Sequence, residues 1–175
     1  MLSRCFRKDQ SAMAAVEFAL IAPFMVLVFF ATVELGAAVD VRARVTDVAA
    51  TASDLVAQET SVSTSDMSNV FAALNSILYP YPSAPAQIVI SSLVDNGRGA
   101  TTVAWSSAQN ATPLVVGATV SVPTGLITSG SGQSVILTQI TYPYTPPLAT
   151  YSTGTFTMTS KFYSRPRRSL TVTHS

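Results

Sequence analysis

Residues Ala12–Leu35 read AMAAVEFALIAPFMVLVFFATVEL, a long apolar stretch with one carboxylate, Glu17, set inside its apolar run and a second, Glu34, at its far end. Its charge-free part, Phe18 to Val33, is 16 residues long. As helix this covers roughly 24 Å at about 1.5 Å per residue, somewhat short of a ~30 Å hydrocarbon core. Ala12–Val16 and Leu35–Val39 extend the span if Glu17 is tolerated. Pro23 lacks a backbone donor and crowds the preceding turn, so a kink or local loosening is expected there, which neighbours in a membrane helix can absorb.

Arg4, Arg7 and Lys8 precede the stretch, and its far flank, Glu34, Asp40, Arg42, Arg44 and Asp47, is net negative. Cationic residues hold their flank in the cytoplasm, so the N-terminus is expected inside and the rest of the chain outside. Two bland identities compete with a permanent anchor. One is a cleaved secretory signal with small residues at Gly36, Ala37 and Ala38; the other is a plain bitopic anchor whose Glu17 reaches toward the headgroups.

The apolar pattern does not stop at the membrane. Val41, Val45, Val48, Ala52 and Leu55 recur at spacings of four and three, which continues one helix from about Ala12 to Gln58 and gives it a stripe to pack under the protein's own sheet. A second helix is expected from Ser65 as its cap through Met67, Val70, Phe71, Leu74, Ile77 and Leu78, ending before Pro80. Tyr79–Pro85, with three prolines, is a linker. Beyond it the period changes to strands: Gln87–Val94, a turn at Asp95-Asn96-Gly97-Arg98-Gly99, Thr101–Ser106, then Leu114–Val122, Val135–Tyr142 and Gly154–Tyr163. Gly125–Gly132 reads as a loose connection. The expected fold is α+β: a transmembrane helix spine continuing into a periplasmic domain with a second helix and a small antiparallel sheet of about five strands.

Of the 175 residues, ten are Lys or Arg, nine Asp or Glu, one Cys and one His. The chain divides into a basic leader (1–12), a transmembrane helix (13–39) and a periplasmic domain (40–175), and the last is long enough for one core and no more. Charge is unevenly placed, with none from Gly99 to Ser160 and no acid after Asp95. Cys5 precedes the membrane segment, which excludes an intramolecular disulfide and leaves packing to hold the domain.

Catalysis has little to draw on. His174 is penultimate in a tail expected to fray, and Cys5 is on the other side of the membrane, so neither a Cys/His pair nor a His-based triad assembles. No spacing suggests a metal or cofactor, and no Gly-rich loop joins a strand to a helix for phosphate. Neither an enzyme nor a small-molecule substrate is expected. Asn110-Ala111-Thr112 fits a glycosylation acceptor but reads as loop. Arg165-Pro166-Arg167-Arg168 suits a solvated strand end or a docking contact, not nucleic acid.

Glu17 is more informative. An acid at the centre of a membrane helix costs about 2.5 to 3.5 kcal/mol on insertion scales, less near an interface, so it calls for a partner or a wet location. A cut between Ala12 and Met13 would create an α-amine four residues before Glu17. In a helical assembly the Glu17 of one subunit could then neutralise the amine of the next.

The segment AAVEFALIAP, after a short basic leader, resembles the N-terminus of TadE/TadG-like pseudopilins of the Tad (tight adherence, Flp-type) pilus system. The likeness extends to Val103-Ala104-Trp105, to Ile140-Thr141-Tyr142-Pro143-Tyr144-Thr145-Pro146-Pro147-Leu148 and to Tyr163-Ser164-Arg165-Pro166-Arg167, which is similar to the family's Y-x-Y-x-P strand followed by a tyrosine and RPR. The resemblance implies cutting by a prepilin peptidase between Ala12 and Met13, with Glu17 and Phe18 at the fifth and sixth mature positions. The family's usual glycine before the cut is Ala12 here.

It further implies a minor pseudopilin or pilus-assembly protein of the inner membrane, whose partners are other pilus subunits and the Tad machinery. Tyr142, Tyr144, Arg165, Arg167 and Arg168 become candidates for docking. The rival from another class is an uncleaved or secreted bitopic binding or adhesin domain that never enters a filament.

Overall fold

The computed structural model describes residues 10–97, 100–128, 130–146 and 154–175. The leader through Asp9, including Cys5, lies outside the described residues, as do Pro147 and Leu148. A single helix, α1 (Gln10–Ala57), accounts for 48 residues and is helical on both sides of Pro23 without a break. After it come β1 (Ser61–Val62), α2 (Thr64–Ile77), β2 (Gln87–Asp95), β3 (Thr101–Gln109), β4 (Ser134–Tyr144), β5 (Phe156–Ser164) and β6 (Thr173–His174). The α+β architecture expected from the sequence is the one observed.

The two halves of α1 differ in what surrounds them. Every large apolar side chain from Met13 to Val39 is exposed, whereas Val41, Val45, Val48, Ala49, Ala52 and Val56 are buried. The change comes where polar residues begin to alternate with the apolar ones, so the outer half has a stripe to bury and a face to solvate. Leu55 is a correction to the expected stripe: it is 36% exposed, and Val56, one residue on, takes the buried position. After Ala52 the four-residue step keeps the face, and the three-residue step to Leu55 leaves it.

Four antiparallel strands in the order β3-β2-β4-β5 lie across this outer half. Ile88, Ile90, Ile136, Ile140 and Tyr142 meet the α1 stripe, and Met67, Leu74 and Leu78 of the α2 region close the same core. The α2 stripe is thus core, as its periodicity predicts, but its cap is Ser63 and not Ser65. Ser63 Oγ accepts from the Asp66 N–H at 3.2 Å, and the Asp66 carboxylate accepts from the Ser63 N–H at 2.9 Å. This reciprocal capping box satisfies two helix-end donors, a pairing that Ser65 does not make.

The main sheet has four strands and not five, because Leu114–Val122 is not a strand. It touches β3 only through scattered bonds, among them Gly117 N–H to Val103 O at 2.8 Å and Val120 N–H to Thr101 O at 2.9 Å. Gly117, at φ +82°, turns the chain and breaks the pleat. Leu114, Ala118, Val120 and Val122 instead cover Leu93, Val103 and Leu137 on the sheet's second face.

The C-terminal tail is docked. β6 pairs in parallel with β1, Ser61 with Thr173 and Val62 with His174. Val172 is buried, and its carbonyl accepts from Trp105 Nε1–H at 2.7 Å. A buried apolar side chain and an indole bond therefore hold the region that charge and position suggested would fray. The Gly125–Gly132 connection is also tied: Gly130 donates its N–H to the Asp95 carboxylate.

Candidate functional site

Ala12 and Met13 lie in the first turn of α1, and Met13 is 65% exposed. Glu17 follows one turn later, also exposed, with Phe18 beside it on the bare apolar helix. A spacing of four residues puts Met13 and Glu17 on one face of the helix. None of the most apolar window of this helix is buried. An apolar surface this large is far beyond what a monomer leaves to water, so it needs a bilayer or other helices around it.

Where α1 leaves this apolar stretch, a polar and aromatic collar joins it to the domain. Arg44 Nε donates to the Asp40 carboxylate at 2.9 Å, and its NH1 donates to Ile77 O at 3.2 Å, tying α1 to the end of α2. The Arg44 guanidinium stands 5.9 Å from the Tyr81 ring centre, within cation–π range. Tyr81 packs edge-to-face on Tyr144 at 6.1 Å and donates its hydroxyl to Ala37 O at 3.4 Å. The bond to Arg44 holds the Asp40 carboxyl below the usual range, while burial, followed by the Asp40 carboxylate, pushes the Tyr81 phenol up. Tyr144 is raised by burial and then by Glu34.

The proposed docking residues are not gathered on one surface. Tyr142 is 2% exposed and donates its hydroxyl to Pro82 O at 2.9 Å; Tyr144 is buried in the collar. Both hold the linker against the sheet, so neither is available at the surface. Arg165 donates to Leu126 O at 3.0 Å and to Gly125 O at 2.6 Å. Arg167 pairs with Asp54, and its backbone N–H caps Ala57 O at 2.9 Å. Arg168 is exposed. The RPR run thus lies along the surface, its first arginine bonded to the Gly125 loop and its second stitching the tail to the end of α1.

Asn110 takes a positive φ of 54° and donates to Ala84 O and Ala86 O, both at 3.0 Å. His174 lies 5.4 Å from the Trp105 ring. Among the described residues no group of three His, Cys, Asp or Glu side chains could hold a metal ion. The sequence reading did not identify the Asp40–Arg44–Tyr81 collar. The i,i+4 spacing of Asp40 and Arg44 was a usable signal, but Tyr81 comes to them only through the fold.

One membrane-length apolar helix whose outer half is the spine of an α+β domain fits a single-pass membrane protein. Residues 12–54 match the family model described as TadE-like protein. The match takes in Glu17, the whole apolar stretch and most of the buried stripe, and it supports a pilus-associated protein of the Tad system. The chain thus carries a TadE-like segment, as in TadE/TadG-like proteins. No curated protein and no solved structure matches it.

Proposed function

We propose that the protein is a minor pseudopilin or pilus-assembly protein of a Tad-type system. Residues 13–39 anchor it in the inner membrane, with the leader in the cytoplasm and residues 40–175 in the periplasm. A prepilin peptidase cuts between Ala12 and Met13, and the helices associate side by side. Glu17 sets their register by pairing with the Met13 amine of a neighbour, replacing two unmatched charges in lipid with one matched pair. The domain then offers its surface to other subunits.

The observation that carries this reading is an exposed carboxylate one turn after Met13, on a bare apolar helix, inside the TadE-like segment. Glu17→Gln removes the charge and keeps the shape. It is expected to insert into the membrane normally and to impair assembly, and normal piliation by this variant would refute the pairing. Mass spectrometry of the native N-terminus tests the processing: a chain starting at Met13 supports the pseudopilin, one at Met1 a simple anchor, and one at Val39 a secreted domain.

A further inference from the structure

The α1 stripe buried by the sheet does not end where the sheet does. Tyr144 and Phe156 form the last registered pair of β4 and β5. Below that pair the same face of α1 continues through Ala38, which is partly buried against the core, to Glu34 and Ala31, with Leu35 at its edge. The result is an open cleft of about 480 Å³ between this face and the start of β5, where Phe156 and Met158 form the opposite wall. Leu35 is 67% and Phe156 48% exposed.

The height of this cleft follows from the helix. Counting from Phe18, a ~30 Å hydrocarbon core takes up about 20 residues at about 1.5 Å each and ends near Ala37. Ala37 is the residue whose carbonyl accepts from the Tyr81 hydroxyl, and tyrosines sit at headgroup level. The cleft wall from Ala31 to Ala38 therefore stands in the last turns of hydrocarbon, and Phe156 at its boundary with the headgroups. Arg42, one turn above Ala38 on the same wall, is exposed and belongs to neither ion pair found among the described residues, Asp40–Arg44 and Asp54–Arg167. Long basic side chains lean toward the helix N-terminus, here toward the membrane.

We propose that this cleft binds a phospholipid of the outer leaflet of the membrane, its acyl chain against Leu35, Phe156 and Met158 and its phosphate on Arg42. The domain is thereby seated on the bilayer surface and not held above it on a stalk. Glu34, lower on the same wall, is half-buried at the cleft. The proposal rests on residues 13–39 spanning the membrane and does not require a filament.

The test uses the full chain with Cys5→Ser, reconstituted in vesicles of phosphatidylethanolamine and phosphatidylglycerol. A nitrobenzoxadiazole label is placed in turn through Phe156→Cys, Met25→Cys and Val115→Cys, and lipids spin-labelled high on the acyl chain act as quenchers. Strong quenching at positions 25 and 156, none at 115, and loss of the effect at 156 alone on adding Arg42→Glu are expected. A label at 156 that behaves like the one at 115, while 25 is quenched, overturns the lipid cleft and leaves the span intact. A label at 156 shielded from lipid and aqueous quenchers alike, and self-quenching between copies, assigns the cleft to a second chain and overturns the proposal. Absence of quenching at position 25 overturns the span itself, and the cleft with it.

Discussion

Ser53 Oγ donates to Thr138 Oγ1 at 2.8 Å inside the core, joining the α1 spine to the centre of β4 across 85 residues of chain. Both residues are fully buried, and Ser53 also lies 3.3 Å from Phe162 O on β5. One hydroxyl therefore fixes how the sheet sits on the helix.

Ser53→Ala leaves the Thr138 hydroxyl without its partner, which costs about 1–3 kcal/mol for a buried polar group. Denaturant unfolding of the detergent-solubilised protein, followed by Trp105 fluorescence, measures it. Adding Thr138→Val is expected to cost less than the sum of the two single changes, because both orphaned groups are then removed.

Leu74 is fully buried between α2 and the spine. Leu74→Ala is expected to destabilise by about 2–5 kcal/mol through lost burial and the cavity left behind. Leu170→Ala, at a 65% exposed site, serves as the comparison and should fall within about 0.5 kcal/mol of the parent.

The tail separates two kinds of contact. Arg167→Ala breaks an ion pair whose partners are 63% and 39% exposed, so no more than about 1 kcal/mol is expected. Truncation after Thr171 removes Val172 and β6 and uncovers Trp105, the only tryptophan. A red shift of its emission and a clear loss of stability are expected; an unchanged spectrum would show that the tail does not cover the indole.

Asp66 and Asp40 are both held below the usual carboxylate range, Asp66 first by the Ser63 side chain and Asp40 first by Arg44. A lowered folded pKa contributes stability above the unfolded value of about 3.9, and this is lost as the pH falls through the folded values. Far-UV circular dichroism should therefore show α2 fraying in acid, below about pH 4. Ser63→Ala should lower stability at neutral pH by about 1 kcal/mol and weaken the acid transition, since the Ser63 hydroxyl is the main cause of the Asp66 shift.

Local pattern carried the elements and little of what joins them. The span, the helix that continues past it, the α2 stripe and the first hairpin could all be read from spacing, because helix and strand periods are properties of consecutive residues. The strand expected at Leu114–Val122 failed for a reason that spacing hides: its apolar residues are needed to cover the sheet's second face, and Gly117 turns within it. Tyr142 and Tyr144 were docking candidates only through the family resemblance. Their burial depends on Tyr81 and Pro82, some 60 residues earlier.

The amino-acid sequence by itself determined that a membrane-length helix carries an acid, Glu17, one turn after Met13, and that an α+β domain follows. Tertiary structure alone decided that the RPR arginines are bonded along the surface to Asp54 and the Gly125 loop, that the tail shields Trp105, and that α1 runs on below the last strand pair beside an open cleft. The physical reason is one of range. Hydrophobic periodicity and capping act within a few residues, whereas burial of a tyrosine or pairing of an arginine depends on which distant carbonyls and carboxylates the packed core brings within 3 Å or so.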